Sequence, residues 1–200
     1  MVGALAVVYL GLIALTTLLA NAMTRLRLIA VAFVGVAIVA ASIASASASP
    51  AQVAVTGSAG LAAAGILYVA ARDQSYGEDP GWRLWLGTFT AAIVTPIAYA
   101  SFRTIAGGTA PLPLFQDGSG VIAEVAGVWL LSSGVAILLT ARSAVRVSLA
   151  ALLLITGVQL LARIAPEPQL ATTLALGSLE VVIALAGAYL IVNERAVQDA

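Results

Sequence analysis

Seven predominantly apolar runs, each about 20 residues long, follow one another through this 200-residue chain, at residues 2–22, 28–46, 51–71, 84–105, 121–141, 147–164 and 170–193. About 20 apolar residues is the length at which an α-helix crosses the ~30 Å hydrocarbon layer of a bilayer. Lipid offers no partner for free backbone N–H and C=O groups, so each run must close its own hydrogen bonds as a helix. Only 9% of residues are charged, against about a quarter in a soluble domain. The expected fold is all-α: a single polytopic membrane helical bundle over residues 1–200 with about seven transmembrane helices, its main partner the lipid bilayer.

The breaks between runs carry arginine, proline, glycine or acid, as turns at a membrane surface do. One break is uncharged, the run 42–50 of alternating small polar residues and alanine that ends in Pro50. A hairpin there gives seven spans; continuous helix would give six. With seven, Arg25, Arg27, Arg72, Arg83, Arg142, Arg146 and Arg195 fall on one side and only Arg103 and Arg163 on the other. Six spans would split them four against five. The stronger asymmetry favours seven, and the positive-inside rule then puts the N-terminus outside and the C-terminus in the cytoplasm, in a bacterial or archaeal inner or plasma membrane. The first run lacks a positive segment ahead of it and reads as a retained signal-anchor.

Lysine, histidine and cysteine are absent. Haem, iron–sulfur clusters, zinc and copper therefore have no conventional ligands here, and no lysine is present to form a Schiff base. No cofactor, metal site or catalytic residue is expected, and the chain is not expected to be an enzyme by itself. It contains no phosphate-binding loop, nucleophile elbow or metalloprotease motif. No basic stretch is long enough to track a nucleic acid backbone.

Polar groups inside the runs carry what chemistry there is. Glu180 lies ten residues into the last run, roughly 15 Å deep at 1.5 Å per residue. A carboxylate there costs about 2.5–3.5 kcal/mol on insertion scales, so it must face protein or water. Thr173, Gly177, Glu180, Ala184 and Gly187 share one helical stripe, which should face a neighbouring helix. Thr156, Gln159 and Arg163 share a face of the preceding run, where Thr156 and Gln159 are placed to reach Glu180. These three residues, Glu180, Gln159 and Thr156, are the candidate intramembrane polar or proton site. Glu124, one turn into the fifth run, has Arg103 and Arg163 at its level as candidate ion-pair partners. Pro96 should kink the fourth helix. Gly57, Gly60 and Gly65 should allow close approach of the third. The acidic connection 72–83, with Asp73, Glu78 and Asp79, reads as a solvated loop or a surface for a basic partner.

The stretch 142–193 resembles the C-terminal half of hydrogenase-4 component E, a membrane subunit related to the small K subunit of complex I. The resemblance rests on Arg142 and Arg146 before an apolar helix, Leu154-Ile155-Thr156-Gly157 within it, the Pro166-Glu167-Pro168 turn, and Leu179-Glu180-Val181-Val182 in the last helix. Glu180 falls where that family has its last intramembrane acid, whereas Ile155 and Thr156 replace the family's Glu-Asn pair. The resemblance implies a non-catalytic structural or coupling subunit of a multisubunit bioenergetic complex, of the complex I, membrane-hydrogenase or cation/proton-antiporter type, with other membrane subunits as partners. The alternatives are a small freestanding transporter or channel using Glu180, and a structural subunit of a photosynthetic or other respiratory assembly.

Overall fold

The computed structural model describes residues 2–23, 25–46, 48–71, 81–107, 118–163 and 170–198. They form seven helices and, among the described residues, no strand: α1 (Val2–Ala22), α2 (Leu26–Ser45), α3 (Pro50–Ala70), α4 (Gly81–Gly107), α5 (Gly118–Thr140), α6 (Ala144–Ala162) and α7 (Leu170–Gln198). Among the described residues six of them, α2 to α7, are long and apolar enough to cross a membrane. The chain is thus an integral membrane helical bundle.

The uncharged break is a hairpin. α2 stops at Ser45, and Ser49 starts α3 with a capping box: its Oγ accepts from Gln52 N at 3.4 Å while its own N–H donates to Gln52 Oε1 at 3.0 Å. Pro50 occupies the first turn, where its missing N–H costs nothing. α4 continues through Pro96, and Thr95 Oγ1 donates to Ala91 O.

Six helices close a ring in the order α1, α2, α3, α7, α6, α5, with α5 returning to α1. The ring is flattened, so α2 also meets α6 and α5 across the middle, and α4 packs outside against α5 and α1. The core follows from this: Phe33 and Val36 of α2, Leu130 of α5, and Leu149, Leu152 and Leu153 of α6 are fully enclosed. Apolar side chains of α4 and of the outer side of α7 stay exposed, among them Trp82, Trp85, Phe89 and Val182. In water that surface would be a liability; in lipid it is the solvent-facing surface.

Small residues set the spacing. A Cβ on Gly157 would lie 2.9 Å from Gly127 O, and one on Gly134 would lie 2.9 Å from Ala150 O, so α5 and α6 touch through backbone. Of the three α3 glycines expected to serve close approach, only Gly60 does so tightly, its Cβ position 2.7 Å from Ala37 Cβ. Gly57 is in ordinary contact, and Gly65 faces open space.

Candidate functional site

Glu180 is held where α3, α6 and α7 meet. Every third or fourth residue of α7, namely Gly177, Glu180, Ala184, Gly187 and Ile191, is buried, while the residues between them are partly or fully exposed. This stripe turns Glu180 inward to 1% exposure. Gly187 seats α7 against Ser148 of α6, and Gly177 seats it against Val55 and Ala59 of α3. In the gap between these contacts, Gln159 Nε2 donates to Glu180 Oε2 at 3.0 Å. The Thr156 hydroxyl, which donates to Leu152 O at 2.8 Å, lies beside the carboxyl. On the α3 side the neighbour is Gly60, whose Cβ would stand 3.5 Å from Glu180 Oε1; its missing side chain leaves room for the carboxyl. The structure therefore brings Glu180, Gln159 and Thr156 together.

Arg163, at the C-cap of α6, continues the same face one turn on. It is 5% exposed, and its Nη2 donates to Thr56 Oγ1 and, at 3.4 Å, to Gln52 O. A polar column thus runs from the Ser49–Gln52 cap along Thr56 and Arg163 to Gln159 and Glu180. Two buried atoms in it, Gln159 Oε1 and Arg163 Nη1, have no hydrogen-bond partner among the described residues. Arg163 makes no ion pair with Glu124, because it turns to Thr56 and Gln52 of α3 while Glu124 looks towards α4.

Glu124 meets Arg103 instead. Arg103 Nε lies 3.0 Å from Glu124 Oε1, with the carboxylate fully buried and the arginine side chain 38% exposed. The N–H is aimed at Tyr99 Oη at 3.3 Å, and the guanidinium lies over the Tyr99 ring, so the contact with Glu124 is mainly one of charge. The pair ties the end of α4 to the start of α5.

A second network, not anticipated from the sequence, occupies the opposite, arginine-rich end. Arg146, 3% exposed, donates from Nη1 to Asn21 O at 2.7 Å and Oδ1 at 3.2 Å, and from Nη2 to Met23 O at 2.8 Å. Asn21 Nδ2 donates in turn to Leu84 O and Thr88 Oγ1. The last carbonyls of α1, which no helix satisfies internally, are thereby met by a guanidinium. Nearby, Glu194 Oε2 accepts the Ala144 N–H at 3.0 Å, placing a carboxylate on the positive N-terminal end of α6. The available signal was Asn21 itself, an amide closing an otherwise apolar run.

The acidic connection with Asp73, Glu78 and Asp79 lies outside the described residues. Among the described residues no three acids converge as metal ligands. The chemistry within reach of Glu180 is that of an enclosed carboxyl group: hydrogen bonding, or exchange of a proton or cation. No family model, curated protein sequence or solved structure matches this chain.

Proposed function

We propose that the chain is a non-catalytic integral membrane subunit of a larger multisubunit bioenergetic complex, of the complex I, membrane-hydrogenase or cation/proton-antiporter type, in a structural or coupling role. The observation that carries this reading is the state of Glu180. It is enclosed by three helices, bonded to Gln159, and placed in a segment that resembles hydrogenase-4 component E. An acid so fixed serves as a polar tie between helices. Two further buried charges serve in the same way, Glu124 on Arg103 and Arg146 on the end of α1. The arginine asymmetry supports an external N-terminus and a cytoplasmic C-terminus. The test is affinity purification of the tagged chain from native membranes: stoichiometric antiporter-like or hydrogenase subunits are expected, and purification alone would count against the assignment.

One observation favours a second reading, a small freestanding transporter or channel moving protons or cations through Glu180. Gln159 Oε1 and Arg163 Nη1, a buried acceptor and a buried donor four residues apart without a partner among the described residues, lie between Glu180 and the end of α6. Purified chain in liposomes would then carry a proton or cation flux that Glu180→Gln abolishes, since an amide cannot exchange charge.

A further inference from the structure

At the junction of α1, α4 and α5 lies a cavity of about 10 Å³, whose polar lining is Thr17, Asn21, Thr88, Trp129 and Ser133. Trp129 and Ser133 stand four residues apart on one face of α5, and both present to this region a shielded polar atom, Nε1 and Oγ, with no partner among the described residues. Buried donors and acceptors are rarely left unpaired. We propose that this cavity binds a single water molecule that joins Trp129 and Ser133 of α5 to Thr17 of α1.

The donor inventory selects the ligand. The indole N–H only donates, so the ligand must accept from it. The Thr17 hydroxyl spends its proton on Ile13 O at 2.7 Å and offers lone pairs alone, so the ligand must donate to it. Both Nδ2 protons of Asn21 are committed, to Leu84 O at 3.0 Å and Thr88 Oγ1 at 2.7 Å, and its Oδ1 already accepts from Arg146. Ser133 accommodates either sense. A bare cation cannot accept from indole, and an anion or carbonyl cannot donate to Thr17. Water does both, and the volume is that of about one water molecule. The site lies on the inner side of the Arg146–Asn21–Thr88 network and gives α1, which has no charged side chain of its own, a polar link to α5 beside those to α4 and α6.

The experiment uses the full chain in lipid nanodiscs. Infrared difference spectra between ordinary and ¹⁸O-labelled water should show one shifted O–H stretch from a water that resists drying, and Ser133→Val, which fills the cavity, should remove that band. In a Trp82→Phe/Trp85→Phe background Trp129 is the only tryptophan left of three. The hydrogen-bond-sensitive indole band in its resonance Raman spectrum should sit at the bonded position, stay there in Ser133→Ala, where the enlarged site keeps its water, and move to the free position in Ser133→Val. A free indole in the parent chain would overturn the proposal. So would loss of bonding in Ser133→Ala alone, which means a direct Trp129–Ser133 bond, or absence of any isotope-sensitive band, and these readings hold even if Ser133→Val fails to fold.

Discussion

Replacing Gly157 with alanine probes the α5–α6 contact without touching any polar group. The new Cβ would lie 2.9 Å from Gly127 O and 3.1 Å from Leu131 N, both backbone atoms, so no rotamer change relieves the overlap and the helices must part. The control is Gly65→Ala, in the interior of α3, where nothing lies within 4 Å. Each substitution gains about 0.8–1.0 kcal/mol of helix propensity, which cancels between them. The remainder is the cost of overpacking, about 1–3 kcal/mol, or about a 5- to 150-fold difference in the folding equilibrium. Gly127→Ala should fall between them, since its closest obstacle, 2.8 Å away, is the movable Leu161 side chain. Reversible unfolding in bicelles, followed by steric trapping or mixed-micelle titration, gives the three values directly. If Gly157→Ala is as stable as Gly65→Ala, the two helices are not in backbone contact and the packing argument fails.

Arg103→Ala strands the buried Glu124 carboxylate and should cost about 1–3 kcal/mol, below the 3–5 typical of fully buried pairs because Arg103 is 38% exposed; adding Glu124→Gln should recover part of the loss, and a strictly additive double-mutant cycle of folded yield would reject the pairing. Arg146→Ala leaves the last carbonyls of α1 and Asn21 Oδ1 unpaired and should lower the unfolding midpoint more than the exposed Arg142→Ala, with Arg146→Lys failing to rescue because one ammonium cannot span Asn21 and Met23. Glu194→Ala removes the carboxylate from the start of α6 and should cost about 0.5–2 kcal/mol in the same assay. Reporter fusions after Arg142 and Arg195 should both report cytoplasm, and an external signal from either would reject the proposed orientation.

Helix positions were legible because hydropathy and arginine mark where backbone leaves lipid. The run read at 170–193 is α7 from Leu170 onward, and that read at 51–71 is α3 over Pro50–Ala70. The inward face of α7 was legible too, since only one stripe of it is small and polar. Hydrophobic patterning gives the face of a helix but not which helix it meets. Arg163 therefore stood as a partner for Glu124, although its face turns to Thr56 of α3. For the same reason Asn21 and Arg146, 125 residues apart, gave no sign of each other. Gly57, Gly60 and Gly65 look equivalent in sequence, but Gly60 packs tightly on α2 and faces Glu180, Gly57 is in ordinary contact with α2, and Gly65 meets nothing within 4 Å.

The central claim, that Glu180 is a helix tie in a subunit of a larger complex, is tested by purifying the tagged parent, Glu180→Gln and Glu180→Leu chains from native membranes and comparing the partners recovered and their activity. Glutamine keeps the shape and still accepts from Gln159 Nε2, whereas leucine leaves the Gln159 amide without a partner in the core. Glu180→Gln should keep the same partners and full activity, and Glu180→Leu should deplete the partners. Normal assembly with lost proton or cation transport in Glu180→Gln would contradict that claim, and would make Glu180 a carrier of charge.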